Sequence, residues 1–351
     1  MTTDDNYIQI IRNYLGNEIS IVENSENPIR KALLKLDPCS REDVRDERYS
    51  TWMAFEYMLK QEGPEKDFMA LKKSDLLNGD LKTQVGTLSE IIAYYCLCRA
   101  GFKVEYQSTD DKPTADYKIT SPEGEQAIIE VTSRGLCDEA QGKIKEAKQA
   151  LDEAVKNNKD PNQRIHIVCP TIIRPYGYSS DSCTADAISK ICSMKKEEHQ
   201  LSEGLPSILW ADFGVTGDFT TAGGLFYPLN SWNGCITSGH FWYGFYGRKG
   251  FPIYTNFSVN NENNITLEKV EIMKHDGRFY QKTKLSGCIF RCSSYSFFYE
   301  HPEPLNPISD NFRKRLLLLP KFSIEKSLAN FYPGLVKEKN EQIEKLIKSF
   351  Y

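Results

Sequence analysis

The stretch that decides the fold runs from Gln126 to Thr132 and reads Gln-Ala-Ile-Ile-Glu-Val-Thr. Its apolar and β-branched residues predict a buried strand. Side chains alternate between the two faces of a strand, so Glu130 shares a face with Ile128, where an apolar residue is expected. A buried carboxylate in such a position is either paired with a cation or binds a metal ion. Glu130 is therefore the first candidate functional residue.

The residues around this strand predict helices and further strands in a regular order. Thr87-Leu88-Ser89-Glu90 has the pattern of a capped helix start, and an apolar helix is expected to continue to Arg99. Hydrophobic periodicity predicts strands over 102–106, 115–119 and 164–169, and a helix over 137–157. A meander of strands followed by a crossover helix predicts an α/β fold, with a mixed β-sheet core flanked by helices.

Three regions are expected along the chain. Residues 1–80 have the apolar spacing of a helical N-terminal region, and residues 81–215 contain the core elements. Residues 216–351 are expected to form a β-rich C-terminal region that serves recognition or dimerisation.

Bulk composition indicates a folded protein but does not select a function. With 40% hydrophobic and 26% charged residues, the 351-residue chain is not expected to be disordered. A net charge of −4 neither requires nor excludes nucleic-acid binding, because a basic groove needs only a local cluster. The ten cysteines, a polar N-terminus and the lack of a long apolar stretch predict free thiols in a cytoplasmic protein outside the membrane.

A second acidic residue is expected close to Glu130. Asp116 opens the strand predicted before the turn at 122–125, and a hairpin would bring the two strands side by side. Mg²⁺ prefers oxygen ligands, usually one or two carboxylates together with water and substrate phosphate. Hydrolysis of a phosphodiester bond uses such an ion to activate water and to neutralise charge on the phosphate.

Residues 87–171 resemble the PD-(D/E)XK nuclease superfamily. The resemblance rests on Glu90 in the leading helix, on Pro113-Thr114-Ala115-Asp116, and on Glu130-Val131-Thr132, in the family's order of secondary structure. It departs from the family in the two residues between Pro113 and Asp116 and in Thr132, which stands in the usual lysine position. The resemblance implies a restriction-endonuclease-like fold in which Glu90, Asp116 and Glu130 bind Mg²⁺, with Mn²⁺ able to substitute.

The missing lysine has candidates in the helix after the strand, as in family members that supply it from there. Lys143 and Lys148 lie nearer to the apolar stripe of that helix than Lys145, which the helical projection excludes. Lys143 is preferred because it is closer to the strand that carries Glu130. The lysine would stabilise the phosphate in the transition state and position the attacking water.

Two further residues near the strand are candidates for substrate contacts. Thr132 would orient the attacking water or a phosphate oxygen, and Arg134 would contact the substrate backbone.

Each assignment has a structural alternative. Glu90 would also suit the positive end of a helix dipole, and Asp116 would also suit a strand entry where loop amides need an acceptor. Glu130 would also be satisfied by a buried Arg or Lys. Lysines of a charged helix ordinarily form a solvated face.

An aromatic run in the C-terminal region has two interpretations. The run comprises Trp232, Phe241, Trp242, Tyr243 and Phe245, and it is followed by Arg248 and Lys249. These side chains would suit stacking on unpaired bases, with the two cations binding nucleic acid. A β-structured core is the favoured interpretation of the aromatic residues themselves.

The expected function is that of a Mg²⁺-dependent endonuclease that cleaves double-stranded DNA, of the restriction or phage-defence type. Cleavage of both strands favours a homodimer. The alternatives are a catalytically inactive nucleic-acid-binding protein, an RNA endonuclease, and a structural protein whose acidic residues form internal salt bridges.

Overall fold

The computed structural model divides the chain into two compact units. The first comprises Met1–Arg134, Lys195–Ala222 and Lys282–Gln342, and the second comprises Gly135–Met194, Gly223–Gln281 and Ile343–Tyr351. Within them the structure describes residues 3–23, 25, 27–37, 40, 42–107, 115–133, 139, 142–143, 145–147, 149–150, 153, 183–194, 201, 204–213, 229–232, 235–259, 265–292, 295–320, 341 and 345.

The N-terminal part of the first unit is helical, as the apolar spacing predicts. Its α-helices are α1 (Thr3–Leu15), α2 (Ile19–Glu23), α3 (Glu42–Lys60), α4 (Pro64–Asn78) and α5 (Leu81–Arg99), with 3-10 turns at Gly16–Glu18 and Pro28–Leu33. Another helix, α8 (Asp310–Leu316), lies near the end of the described chain. Among the described residues, no helix has the length and apolar character that a membrane crossing requires.

The predicted start of α5 at Thr87 is wrong. The helix begins at Leu81, because the side chain of Asp80 accepts a hydrogen bond from the Thr83 amide at 2.7 Å and so caps the first turn. Glu90 consequently lies in the middle of α5. An interaction with the helix dipole at its positive end therefore does not account for this carboxylate.

The first unit contains a six-stranded mixed sheet with the order β1-β2-β3-β4-β9-β10. Its strands are β1 (Lys103–Tyr106), β2 (Tyr117–Thr120), β3 (Gln126–Ser133), β4 (Ser207–Asp212), β9 (Leu285–Cys292) and β10 (Tyr295–Glu300). β3, β4 and β9 are parallel to one another, and the remaining neighbours are antiparallel. The mixed α/β class is confirmed. The strand predicted over 164–169 lies outside the described residues.

One face of this sheet shares a hydrophobic core with the helices. Val131, Trp210, Ile289 and Phe298 are successive cross-strand neighbours on β3, β4, β9 and β10, and all are buried in the same cluster as Ile91 of α5. Every residue of β4 is buried, as expected for a central strand that is covered on both faces.

A buried ion pair connects the carboxyl ends of β4 and β9. Nη1 of Arg291 lies 2.9 Å from both carboxylate oxygens of Asp212, and the two side chains are 6% and 1% exposed. Burial lowers the pKa of Arg291, but the negative charge of Asp212, its hydrogen bond and the charges of other nearby groups together outweigh burial, so the pKa is raised overall. The guanidinium of Arg291 thus stays charged in a dry environment.

The second unit contains helices and two hairpins. Its helical elements include residues within 139–153, α6 (Cys183–Cys192) and α7 (His240–Tyr246). The two hairpins pair β5 (Leu229–Trp232) with β6 (Cys235–Ser238) and β7 (Pro252–Val259) with β8 (Ile265–Ile272).

The β interpretation of the aromatic run is wrong for residues 240–246, which form α7. Packing outweighs the β propensity of these residues, since the side chains of Phe241, Trp242, Tyr243 and Phe245 are buried.

Buried tyrosines of the first unit predict a loss of stability at alkaline pH. Burial raises the pKa of Tyr94 and Tyr117, and it raises that of Tyr95 from 10.0 to about 12. Because the folded pKa values exceed the unfolded ones, this contribution to stability is complete below pH 10 and is lost as pH rises through about 12. The urea concentration at the unfolding midpoint should therefore decrease as the pH is raised from 9 to 12. Absorbance at 295 nm should show that some tyrosines of the folded protein ionise only well above pH 10. Ionisation of every tyrosine near pH 10 in the folded protein would contradict this prediction.

Candidate functional site

Asp116 and Glu130 lie near each other where the pairing of β2 and β3 ends. The last pair of the register is Tyr117 with Ile129, so Asp116 immediately precedes this pair in β2 and Glu130 immediately follows it in β3. Oδ2 of Asp116 lies 2.7 Å from the backbone nitrogen of Val131, the residue after Glu130. The roles of the two acidic residues stay predictions. Glu130 is 2% exposed and Asp116 is half-buried.

The orientation of Asp116 is fixed by hydrogen bonds to both neighbouring strands. Its Oδ2 accepts a hydrogen bond from the Val131 amide at 2.7 Å, and its carbonyl oxygen accepts one from the Gln107 amide at 3.0 Å. The carboxylate thus continues the hydrogen bonding of the sheet beyond the end of β2. The structural alternative for Asp116 was that its carboxylate accepts a hydrogen bond from a loop amide. The carboxylate does accept a hydrogen bond from a backbone amide, but the donor, Val131, lies in a strand.

Glu90 is positioned on α5 beside this pair. The hydroxyl of the buried Tyr117, next to Asp116 in the chain, donates a hydrogen bond to the carbonyl oxygen of Glu90 at 3.1 Å. Burial raises the pKa of Glu90, the positive charge of Lys72 lowers it, and the negative charge of Asp116 raises it again, with a raised pKa as the result. The electrostatic effect of Asp116 indicates that these two carboxylates belong to one acidic group.

Lys72 of α4 is a member of this group that sequence reasoning missed. Its Nζ lies 2.5 Å from Oε2 of Glu90 and donates a hydrogen bond to the Tyr106 hydroxyl at 3.5 Å. The ammonium group also lies 4.8 Å from the centre of the Tyr106 ring. The spacing of Phe68, Lys72 and Leu76, each four residues apart, offered a signal, because it places the lysine on the buried face of an amphipathic helix.

The other predicted residues of the catalytic site are distributed over both units. Thr132 is buried on β3, two residue pairs beyond Glu130 in the parallel register with β4. Lys143 belongs to the second unit, where its Nζ lies 3.2 Å from a carboxylate oxygen of Glu139. Lys148 and Arg134 lie outside the described residues. The roles assigned to these four residues remain predictions.

The residues predicted to bind nucleic acid separate into two groups. The aromatic side chains of α7 are at most 1% exposed, so stacking on bases is excluded for Phe241, Trp242, Tyr243 and Phe245. The side chain of Trp232 lies outside the described residues. Arg248 and Lys249 are both exposed in the second unit and accessible to a partner.

The donor set of the acidic group fits a hard divalent cation. Carboxylate oxygens are the ligands that Mg²⁺ prefers, and one or two of them suffice where water and phosphate oxygens complete the shell. The described residues contain no group of three or more His, Cys, Asp or Glu side chains arranged to hold a metal ion. A metal site here would therefore depend on Asp116 and Glu130, while Glu90 is engaged by Lys72.

Comparison with known proteins gives no relative from which a function could be transferred: no protein-family model, curated protein or solved structure matches the chain.

Proposed function

We propose that the first unit is a restriction-endonuclease-like domain and that the protein is a Mg²⁺-dependent endonuclease acting on double-stranded DNA. The observation that carries the proposal is the hydrogen bond that holds Asp116, just before β2, to the amide of Val131, the residue after Glu130 in β3. The order α5-β1-β2-β3, followed by helical residues and the parallel strand β4, supports it further. A restriction or phage-defence role and a homodimer remain parts of this proposal.

Each residue of the group has a distinct role in this proposal. Asp116 and Glu130 would hold Mg²⁺, which supplies a Lewis acid for the phosphate and lowers the pKa of a bound water. The Val131 amide keeps the Asp116 carboxylate oriented, and burial keeps water away from Glu130, which strengthens its interaction with a cation. Lys72 holds the carboxylate of Glu90 beside the pair. Thr132 is assigned to the attacking water.

A cleavage assay on a panel of substrates tests the proposal. The full chain would be incubated with supercoiled plasmid, linear duplex, single-stranded DNA and RNA, each with Mg²⁺, Mn²⁺ or EDTA. We expect duplex DNA to be cut in Mg²⁺ and in Mn²⁺ and to remain intact in EDTA. Cleavage of RNA alone would identify an RNA endonuclease instead, and the absence of cleavage from every arm would contradict the catalytic proposal.

A catalytically inactive nucleic-acid-binding protein is the second candidate. The ion pair between Lys72 and Glu90 favours it, because internal pairing neutralises one carboxylate that would otherwise be available to a metal. In the same assay this candidate predicts DNA binding that is unaffected by Mg²⁺ and no cleavage with either metal ion.

Replacement of Lys72 tests its positioning role. We expect Lys72→Met to lower kcat by about ten- to a hundredfold with little change in KM, because it releases Glu90 without touching the substrate. Lys72→Arg should restore a large part of kcat. The matched control is Lys73→Met, since the neighbouring Lys73 pairs with Glu18 at 2.7 Å. Equal losses in Lys72→Met and Lys73→Met, or a change in KM alone, would contradict the role.

A further inference from the structure

Two turns of the second unit are joined by hydrogen bonds into one surface feature. The first comprises residues 247–251, between α7 and β7, and the second comprises residues 273–277, after β8. The Gly277 amide donates to the Gly247 carbonyl at 2.8 Å, and the Gly250 amide donates to the Met273 carbonyl at 3.0 Å. Gly250 has a φ of 92°, a conformation that side chains with a Cβ rarely adopt. We call residues 247–251 and 273–277 together the basic turn pair.

The exposed side chains of the basic turn pair are predominantly cationic. Arg248, Lys249 and Lys274 are exposed, and so is His275, which adds a hydrogen-bonding ring. Asp276 lies in the same turns, and its Oδ1 accepts a hydrogen bond from the Lys249 amide at 2.9 Å, so this acid serves the backbone. The three cations outnumber the single carboxylate, and the surface carries a local positive charge on a chain whose net charge is −4.

The position of Arg248 is fixed without loss of its charge. Its guanidinium carbon lies 3.0 Å from the centre of the Tyr280 ring. Stacking on an aromatic face orients a guanidinium and leaves its N–H donors directed to solvent. A preordered donor loses less conformational entropy when it binds an anion than a mobile side chain does.

Because the aromatic side chains of α7 are buried, the cations of the basic turn pair would contact the phosphates of a nucleic acid and not its bases. The aromatic side chains of α7 are not accessible to bases, so the basic turn pair provides charge without a stacking platform. Cations of this kind contact phosphates, which position a protein on a duplex but carry no sequence information directly. Two adjacent turns suit a regular polyanion, because duplex DNA carries one negative charge per about 1.7 Å of helix axis.

We propose that the basic turn pair binds the sugar-phosphate backbone of duplex DNA independently of sequence, through Arg248, Lys249, Lys274 and His275. This inference rests on the proposed function in one respect, namely that the bound polyanion is duplex DNA. It assigns backbone contacts to the second unit, whereas the acidic group of the first unit carries the proposed chemistry.

The salt dependence of DNA binding tests this proposal without cleavage. Binding of the full chain to a labelled 20-base-pair duplex would be followed by fluorescence anisotropy in EDTA at several KCl concentrations. For Lys249→Ala/Lys274→Ala we expect weaker binding on every duplex sequence. The slope of log K against log salt concentration should fall by about 0.9 for each lost contact, that is, by about 1.8. Lys249→Arg/Lys274→Arg should retain the wild-type slope.

The matched control removes two positive charges from the first unit. Lys60 and Lys103 are exposed and ion-paired with Glu56 and Glu105, so Lys60→Ala/Lys103→Ala changes the net charge equally. We expect this variant to keep the wild-type slope. Equal losses in both double variants, or an unchanged slope in Lys249→Ala/Lys274→Ala, would overturn the proposal.

Two further outcomes would also overturn it. One is the absence of duplex binding at 50 mM KCl. The other is a defect of Lys249→Ala/Lys274→Ala confined to phosphatidylcholine vesicles containing phosphatidylserine, which would assign the turns to a membrane surface. Since binding is measured without metal, loss of the proposed cleavage activity and loss of this interface are separate results.

Discussion

Replacing Asp116 by asparagine is expected to lower phosphodiester cleavage by about a thousandfold, and Glu130→Gln should have a similar effect. A metal ion at a phosphoryl centre contributes several kcal/mol to the transition state, and about 4 kcal/mol corresponds to a thousandfold in rate. Both replacements keep the shape of the side chain and remove its negative charge. The remaining amide oxygen of Asn would still accept the hydrogen bond from the Val131 amide, so the junction of β2 and β3 should persist.

The measurement is cleavage of linear duplex DNA in Mg²⁺ by purified wild-type and variant proteins, with the unfolding midpoint recorded for each. Glu105→Gln is the matched control, because Glu105 is a partly exposed acid of β1 that pairs with Lys103. This control should cleave like the wild type. Cleavage by both Asp116→Asn and Glu130→Gln at the wild-type rate would remove the pair from the site. A loss accompanied by unfolding would instead assign them a structural role.

Removing one partner of the Asp212–Arg291 pair is expected to destabilise the first unit by about 3–5 kcal/mol. Asp212→Ala leaves a buried guanidinium without its counterion, and Arg291→Met leaves a buried carboxylate. The double variant Asp212→Ala/Arg291→Met leaves neither charge, so it should be considerably more stable than the sum of the single changes predicts. The measurement is urea unfolding of the four proteins, followed by far-UV circular dichroism and combined in a double-mutant cycle.

A surface pair provides the control for this cycle. Lys60 pairs with Glu56 one helical turn away on α3, and the lysine side chain is 62% exposed. Exposed pairs of this kind contribute only about 0.3–0.5 kcal/mol, so Lys60→Ala should leave the midpoint almost unchanged. Additive effects of Asp212→Ala and Arg291→Met would show that the two charges do not depend on each other.

The sequence predicted the part of the fold that depends on local pattern. The apolar and β-branched residues of Gln126–Thr132 are sufficient to identify a buried strand, and the turn at 122–125 is sufficient to identify a hairpin. The hairpin register then follows from the turn, which is why the side-by-side placement of the two strands could be anticipated.

The features that were missed depend on contacts between distant residues. Lys72 and Glu90 lie on different helices, and Asp212 and Arg291 lie on strands separated by 79 residues in sequence. A hydrophobic pattern shows that such a side chain is buried but does not identify its partner. The helix α7 was mistaken for β structure because its aromatic residues favour strands when tertiary packing is ignored.

The position of β4 between β3 and β9 has a consequence for synthesis of the chain. A nascent chain leaves the ribosome from its N-terminus, so β1 to β4 are available long before Leu285 begins β9. Until then one edge of the apolar strand β4 has no neighbour to complete its hydrogen bonds, and open edges of this kind invite association with other chains. Fragments that end before β9 are therefore expected to aggregate.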